Sequence, residues 1–475
     1  MSHPSQARAP GGPPLGLVIL LVAFAALRFF RLGEWGLWID EAFTLTDLRA
    51  AAAGREPWPD NPLGYRLVAE WLDLVGVQTE LALRVVPAVF GAALLPLAYW
   101  AFRPFAGARN AAIAAVLLGA NTWTLYWAQN ARFYSIAQTL GVVGVGFLAR
   151  ALFQSGTWRA YVLLAFALAA FGAATLAHPS ALLFAGAACA APVVLWLARV
   201  RPDGAFGRVT LTLVGLAIAC SALAMPWAQE LWTRYQESKS GPSPLHFVLT
   251  TGYHVTPWLA AAAAGGVFVA LRKREPFRAW VAAALVATIA AALLLSLQAR
   301  VSAQYVFVAL PAVALLAAYG LEALGEHKAA FARAALTLML CASAVDQAHY
   351  FFARNGDRER WREAYQFVWN SRGAGDLIVG MAGPVGEYYL APDSTSFRQP
   401  LALVPLTTHN AYVTMQWARR QRRVWYVVLD EWLEEWPRDQ RDALVRYLDD
   451  GGRMLAEFPV RHPIRDLTVR VWLVE

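Results

Sequence analysis

Charge is what this sequence lacks most. Only 16% of its 475 residues are acidic or basic against 58% hydrophobic, whereas soluble domains are near a quarter charged, so a soluble globular class is excluded. The mean hydropathy of +0.40 leaves an integral membrane protein. Cysteine is scarce too, and three residues in a chain of this length exclude a disulfide-stapled secreted domain. Cys189, Cys220 and Cys341 all sit in apolar runs and read as small hydrophobes, with no thiol chemistry or disulfide indicated. Lysine is limited to three residues beside 38 arginines, a bias without meaning for the site. What is abundant, aromatic and aliphatic side chains, excludes disorder.

The formal charge of +8 does not point to nucleic acid. After Phe351 the chain carries 17 arginines and 17 acidic residues, so the surplus lies in loops of the apolar part, where it reports topology. Apolar stretches of about 20 residues, enough to cross a bilayer, fall at 14–33, 81–102, 107–127, 133–153, 159–177, 179–198, 208–228, 256–271, 277–297, 303–324 and 331–351. That predicts about eleven spans. The breaks between alternate spans hold Arg103 and Arg109, Arg150 and Arg159, Arg199, Arg201 and Arg208, Arg272 to Arg278, and Lys328 and Arg333. By the positive-inside rule those loops and the amino terminus are cytoplasmic, and the segment after Phe351 is outside. A cleaved signal peptide is the alternative for the first span; it leaves the same residues outside.

The expected architecture is therefore a polytopic α-helical membrane part, 1–351, with a structured outer loop at 34–80, followed by a small extracytoplasmic α/β domain, 352–475. Within the loop, helices are predicted over Asp40–Ala53, with Asp40 as N-cap, and over Pro62–Val75, with Pro62 in the first turn and Gly76 as stop. Gln229–Pro257, with its Gly-Pro-Ser-Pro, reads as a loop that can move. In the last part, helices are expected at Glu359–Ser371 and Arg438–Leu448, and strands at Asp376–Met381, Val424–Leu429, Arg453–Phe458 and Leu467–Val474. Gly373-Ala374-Gly375-Asp376 precedes a strand, gives no nucleotide fingerprint, and leaves this domain reading as accessory.

Ionisable groups are costly at a membrane, so those at the outer ends of spans are the candidates. Asp40 and Glu41 point about 100° apart on a helix, so one can face a cavity while the other does not. Asp40 is either a reactive carboxylate or a helix cap. Arg132 lies in a very short outer loop, where the positive-inside rule disfavours arginine; it either meets an anion or snorkels. Asp60 is a cap or a second acidic group, and His178 an interfacial or a cavity histidine. Lys239 is the one outward lysine. His246 and His254 have no recognised metal spacing.

The ordered series Trp38-Ile39-Asp40-Glu41-Ala42, Asn61-Pro62-Leu63-Gly64-Tyr65, Leu83-Arg84-Val85-Val86-Pro87 and Gln129-Asn130-Ala131-Arg132-Phe133-Tyr134 resembles the GT-C membrane glycosyltransferases. It is similar to bacterial relatives of protein O-mannosyltransferases and of the lipid A aminoarabinose transferase, over most of residues 15–325. The resemblance implies a polyprenyl-phosphate sugar as donor, Asp40 as the base for an acceptor hydroxyl beside Glu41, and inversion at the anomeric carbon. The leaving lipid phosphate needs a cation. Arg132 is placed for it, with Lys239 a further candidate and Gln129, Tyr134, His178, Asp60 and Tyr305 as other cavity residues. Relatives often carry Arg-Tyr where this chain has Gln304-Tyr305, and Arg300, four residues earlier, is the substitute. Relatives differ in metal use, so no metal site is assigned and no cofactor is certain, a divalent metal remaining open. The acceptor is a glycolipid, polysaccharide or protein, at the outer face of a bacterial cytoplasmic membrane. The alternative is a flippase or transporter of lipid-linked sugars, whose sites usually lie near the midplane and in internal repeats; no repeat is visible here.

Overall fold

The computed structural model describes residues 12–54, 61–154, 156–200, 202, 205–238, 241–390, 403–418 and 423–475. Asp60, Arg201, Lys239 and the side chain of Cys220 lie outside the described residues. The helical part runs through α1 (Leu15–Leu27), α2 (Ile39–Ala52), α3 (Pro62–Val75), α4 (Glu80–Ala120), α5 (Thr122–Ala128), α6 (Tyr134–Phe153), α7 (Thr157–Ala177) and α8 (Ala181–Leu197). It continues with α9 (Phe206–Ser238), α10 (Pro244–Val255), α11 (Pro257–Lys273), α12 (Pro276–Ser296), a 3-10 turn at Ala303–Ala309, α13 (Leu310–His327) and α14 (Ala329–Phe352).

Among the described residues six helices are long and apolar enough to cross a membrane, or seven if the pair α10 and α11, bent by 96° at Thr256, counts as one span. The sequence reading expected eleven. Two of its spans fall on shorter apolar helices, Leu15–Leu27 and Ala181–Leu197, and a third on α9, whose apolar part among the described residues is Phe206–Ala219. Two others, 81–102 and 107–127, fall largely on the two helical arms of α4, which are separated at Gly107, where φ is +77° and ψ 161°. The Gln229–Pro257 expectation fails. That stretch is helical through the end of α9 and all of α10, because Pro244 starts a helix instead of breaking one. Close approach fixes another pair: a Cβ at Gly266 of α11 would run into the Leu316 carbonyl of α13, and one at Gly320 into Ala262.

The sheet domain comprises α15 (Trp361–Ser371), β1 (Leu377–Gly380), α16 (Gly383–Leu390), β2 (Leu403–Pro405), α17 (Ala411–Ala418), β3 (Val424–Leu429), α18 (Asp430–Glu434), α19 (Arg438–Gly451), β4 (Gly452–Phe458), β5 (Arg461–His462), β6 (Arg465–Asp466) and β7 (Val469–Val474). Its five-stranded sheet has the order β2-β1-β3-β7-β4, parallel across the first three strands and antiparallel across the last two pairings. β3, fully buried over Val424–Leu429, is the continuous apolar run expected of a central strand.

α2 is the element the two parts share. Leu45 and Leu48 pack into the membrane core, while Ala42 and Ile39 belong to the core of the sheet domain with Trp361 and Tyr389. At the joint, Trp35 packs with Leu125, Tyr350 and Phe351.

Candidate active site

Asp40, Thr44 and Asp47 are spaced i, i+4, i+7 on α2 and so share one face. Arg132, from the turn between α5 and α6, lies against that face. Its Nη1 donates to Thr44 Oγ1 at 3.2 Å and to the Asp40 carbonyl at 3.5 Å. Its Nε stands 4.0 Å from Asp40 Oδ2, enclosed and without a hydrogen-bond partner among the described residues. Solvent still reaches both side chains, 35% of Asp40 and 18% of Arg132. The Tyr65 hydroxyl of α3 donates to Asp47 at 2.6 Å, and its ring meets Phe133 edge-on at 4.8 Å. Burial first, then that hydrogen bond, raise the Tyr65 pKa above the usual tyrosine range. Burial opposes the Arg132 charge, but Asp40, then Tyr134, Tyr65 and Asp47, hold it above its ordinary value. The guanidinium is therefore a fixed positive charge with an unused donor beside an accessible carboxylate.

Glu41, one position on, has no solvent exposure. Arg84 of α4 grips it with both arms, Nε to Oε1 at 2.8 Å and Nη2 to Oε2 at 2.6 Å, and the Ala131 N–H donates to Oε1 at 2.7 Å. Arg84 also donates to the carbonyls of Leu32, Trp35 and Gly36. Burial pushes the Glu41 carboxyl up, and the guanidiniums of Arg84 and Arg358 outweigh it, holding the carboxyl below its ordinary value. Glu41 is thus a clamp between α2, α4 and the Arg132 turn, which corrects the expectation of a second carboxylate at the reacting centre. The cap expectation is corrected as well. The helix begins at Ile39 with Trp38 as N-cap, and it is Glu41 that meets the Trp38 N–H, at 3.5 Å. Asp40, second in the helix, is left for other work.

Tyr134 is buried between Trp127 at 4.0 Å and His178 at 3.9 Å between ring centroids. His178 Nδ1 pairs with Ser180 Oγ at 2.8 Å, and burial, with the Arg132 charge second, lowers its pKa to about 3. It is a neutral imidazole beside the Arg132 site. Gln129 is drawn elsewhere: its Nε2 donates to the carbonyls of Leu27, Arg28 and Phe30, and its Oε1 accepts from Tyr350. These bonds satisfy the carbonyls at the end of α1, so Gln129 is structural, not a cavity group. Arg300 pairs with Glu435 of the sheet domain, at 2.5 and 3.2 Å. Tyr305 is half-buried against the membrane core. His246 is exposed on α10, and His254 stacks on Trp123 at 5.1 Å. Among the described residues no group of three or more His, Cys, Asp or Glu side chains could hold a metal ion.

Sequence reasoning missed Thr44, Asp47, Tyr65 and Arg84 as parts of this site. The i, i+4, i+7 spacing from Asp40 was the signal for the first two. An arginine opening the apolar run of α4 was the signal for Arg84, because a charge there must be paired.

No family model and no curated protein matches the chain. Solved structures do. ArnT from Cupriavidus metallidurans, in the apo state, superposes with a TM-score of 0.58 at 16% identity, covering 96% of this chain and 98% of its own. The same protein bound to undecaprenyl phosphate gives 0.57. The oligosaccharyltransferase AglB from Archaeoglobus fulgidus, in complex with an inhibitory peptide and a dolichol-phosphate, gives 0.54 at 12% identity, covering 96% and 76%. The arabinofuranosyltransferase AftD from Mycobacteria gives 0.50 at 15%, covering 98% and 40%. The class defined by this arrangement of apolar helices and a sheet domain is a multi-pass membrane protein. Its fold is that of the GT-C glycosyltransferases.

Proposed function

We propose that this chain is a glycosyltransferase that moves a sugar from a polyprenyl-phosphate donor to an acceptor hydroxyl at the outer face of a bacterial cytoplasmic membrane. The observation that carries the reading is the pairing, on a GT-C fold, of a solvent-reachable Asp40 with Arg132, whose enclosed Nε lacks a hydrogen-bond partner among the described residues. Neighbours of the same fold were solved with undecaprenyl phosphate and with a dolichol-phosphate, which supports a lipid phosphate as the anion. Asp40 takes the proton of the acceptor hydroxyl. The oxygen attacks the anomeric carbon from the side opposite the phosphate, the bond from that carbon to the phosphate oxygen breaks, and the configuration inverts. Polyprenyl phosphate leaves with its added negative charge facing Arg132. Both groups sit at the end of the bundle that carries the sheet domain, away from the basic loops, which supports transfer at the outer face over carriage through the midplane.

The test is donor binding and single-turnover transfer with purified protein and a polyprenyl-phosphate sugar. Arg132→Ala is expected to weaken donor binding, and Arg132→Lys to retain part of it because the planar fork is lost. Equal donor affinity in wild type and Arg132→Ala would end this assignment.

A further inference from the structure

Arg358 reaches the site from outside the membrane part. It stands three residues ahead of α15, and its side chain has no solvent exposure. Nη2 donates to the Gln129 carbonyl at 2.6 Å, Nη1 to the Gly356 carbonyl at 2.8 Å, and Nε lies 3.5 Å from Glu41 Oε2. The guanidinium also lies over the rings of Tyr126 at 5.2 Å and Trp35 at 5.5 Å. The turn that delivers it is specialised. Asn355, Gly356 and Asp357 all have positive φ, at 51°, 64° and 55°, which for the two non-glycine residues is a conformation held only by surrounding contacts. Those contacts are present: Asn355 Nδ2 donates to the Arg358 carbonyl at 3.0 Å, and Arg354 Nε pairs with Asp357 at 2.9 Å. At Gly356 a Cβ would lie 2.7 Å from the Trp35 ring and 2.8 Å from Arg358 Nη1, so the close approach itself requires glycine.

We propose that Arg358 is a positioning residue of the site, so that the sheet domain is a working part of the transferase and not an accessory. The inference rests on the donor-phosphate role of Arg132 proposed above. Two grips hold the turn that carries Arg132. Glu41 accepts the Ala131 N–H, and Arg358 takes the Gln129 carbonyl two residues earlier. Each grip also touches the other, through the Arg358 to Glu41 ion pair. With both closed, the backbone on either side of Asn130 is fixed, and Arg132 is presented to the face of α2 that bears Asp40. With Arg358 absent, Glu41 remains paired with Arg84, so the buried carboxylate keeps a counter-charge while the Gln129 side of the turn is released. Loss of Arg358 therefore misplaces Arg132 more than it unfolds the protein.

The experiment measures binding of undecaprenyl phosphate to the full-length protein in nanodiscs, with melting temperature in parallel. The variants are Arg132→Ala, Arg358→Met, Arg358→Lys and Arg362→Ala. Arg362 also ties the sheet domain to the membrane part, through Glu80 and the Glu34 and Trp35 carbonyls, but does not touch Glu41 or the Arg132 turn. Arg358→Met is expected to bind about tenfold or more weakly, since a misplacement on the scale of 1 Å has effects of this order or larger. Its melting temperature is expected to fall by less than about 4 °C. Arg358→Lys should fall between it and wild type, keeping the charge without the fork, and Arg362→Ala should bind like wild type. Should Arg358→Met not yield folded protein, the lysine variant decides by the same criterion. Wild-type affinity in the Arg358 variants alongside a loss in Arg132→Ala would overturn the positioning role alone, as would an equal loss in Arg362→Ala. Equal binding by wild type and Arg132→Ala would instead bring down the donor-site reading beneath it.

Discussion

The two ends of the helical bundle use the same residue type in opposite ways. At the basic-loop end, Lys273 joins Glu326 and Arg150 covers Trp100 at 4.1 Å, both near the surface. At the domain end, Arg84 and Arg358 converge on one carboxylate with no exposure at all, and Arg132 stands in the middle range beside Asp40. Exposed pairs of the first kind are worth about 0–1 kcal/mol. Removing one partner of a buried pair costs several times more, because the remaining charge is left uncompensated. The basic-loop end therefore reports topology through charges near its surface, and the domain end is set apart by two guanidiniums enclosed on one carboxylate beside the proposed site.

Four changes would sharpen or break this contrast. Glu41→Ala leaves two buried guanidiniums facing each other and is expected to cost about 3–5 kcal/mol, read as a large drop in the denaturation midpoint of the purified protein; near-wild-type stability would contradict the clamp. Arg132→Ala should lower donor affinity by about tenfold or more, the scale of a lost charge-assisted contact, with little change in melting. Acid should act in part through His178, as through the similarly depressed His254 and His462. The folded pKa of His178 is depressed to about 3 against an ordinary value near 6.5, so its contribution is intact above about pH 6.5 and is lost as pH falls toward 3. His178→Gln should accordingly show a shallower fall in melting temperature between pH 7.5 and 5 than wild type, on the scale of about 2 kcal/mol, and an unchanged slope would contradict a neutral buried imidazole. Lys273→Ala, at the other end, should move stability by less than about 1 kcal/mol; a loss matching that of Glu41→Ala would erase the difference between the ends.

Much of this was legible in the sequence where the information is local. The predicted helix over Pro62–Val75 and the strand over Val424–Leu429 coincide with α3 and β3, since Pro at a first turn, Gly at a stop and an unbroken β-branched run act within a few residues. α16 and α17 were missed because each is only eight residues long and held by packing on the sheet domain. In the site, Asp40 and Arg132 stood out through topology and resemblance, and the structure brings them together. Glu41 and Gln129 were misread for one reason: whether a polar side chain faces a cavity or a clamp depends on partners such as Arg84, Arg358 and Tyr350, which lie 43 to 317 positions away from Glu41 or 221 from Gln129 in the chain. The accessory reading of the sheet domain was blind to the same kind of contact, because Arg358 belongs to that segment by sequence and meets the Gln129 carbonyl of the Arg132 turn in space.

The measurement that tests the central claim most directly is single-turnover sugar transfer by purified Asp40→Asn protein from a polyprenyl-phosphate donor. Asn keeps the shape of Asp, Asp40 is not the cap of α2, and Glu41 and Arg84 remain in place, so folding and donor binding should be preserved. What is lost is the proton acceptor, and transfer should fall by at least about a hundredfold, the lower bound for a general base. Transfer at the wild-type rate would contradict the account.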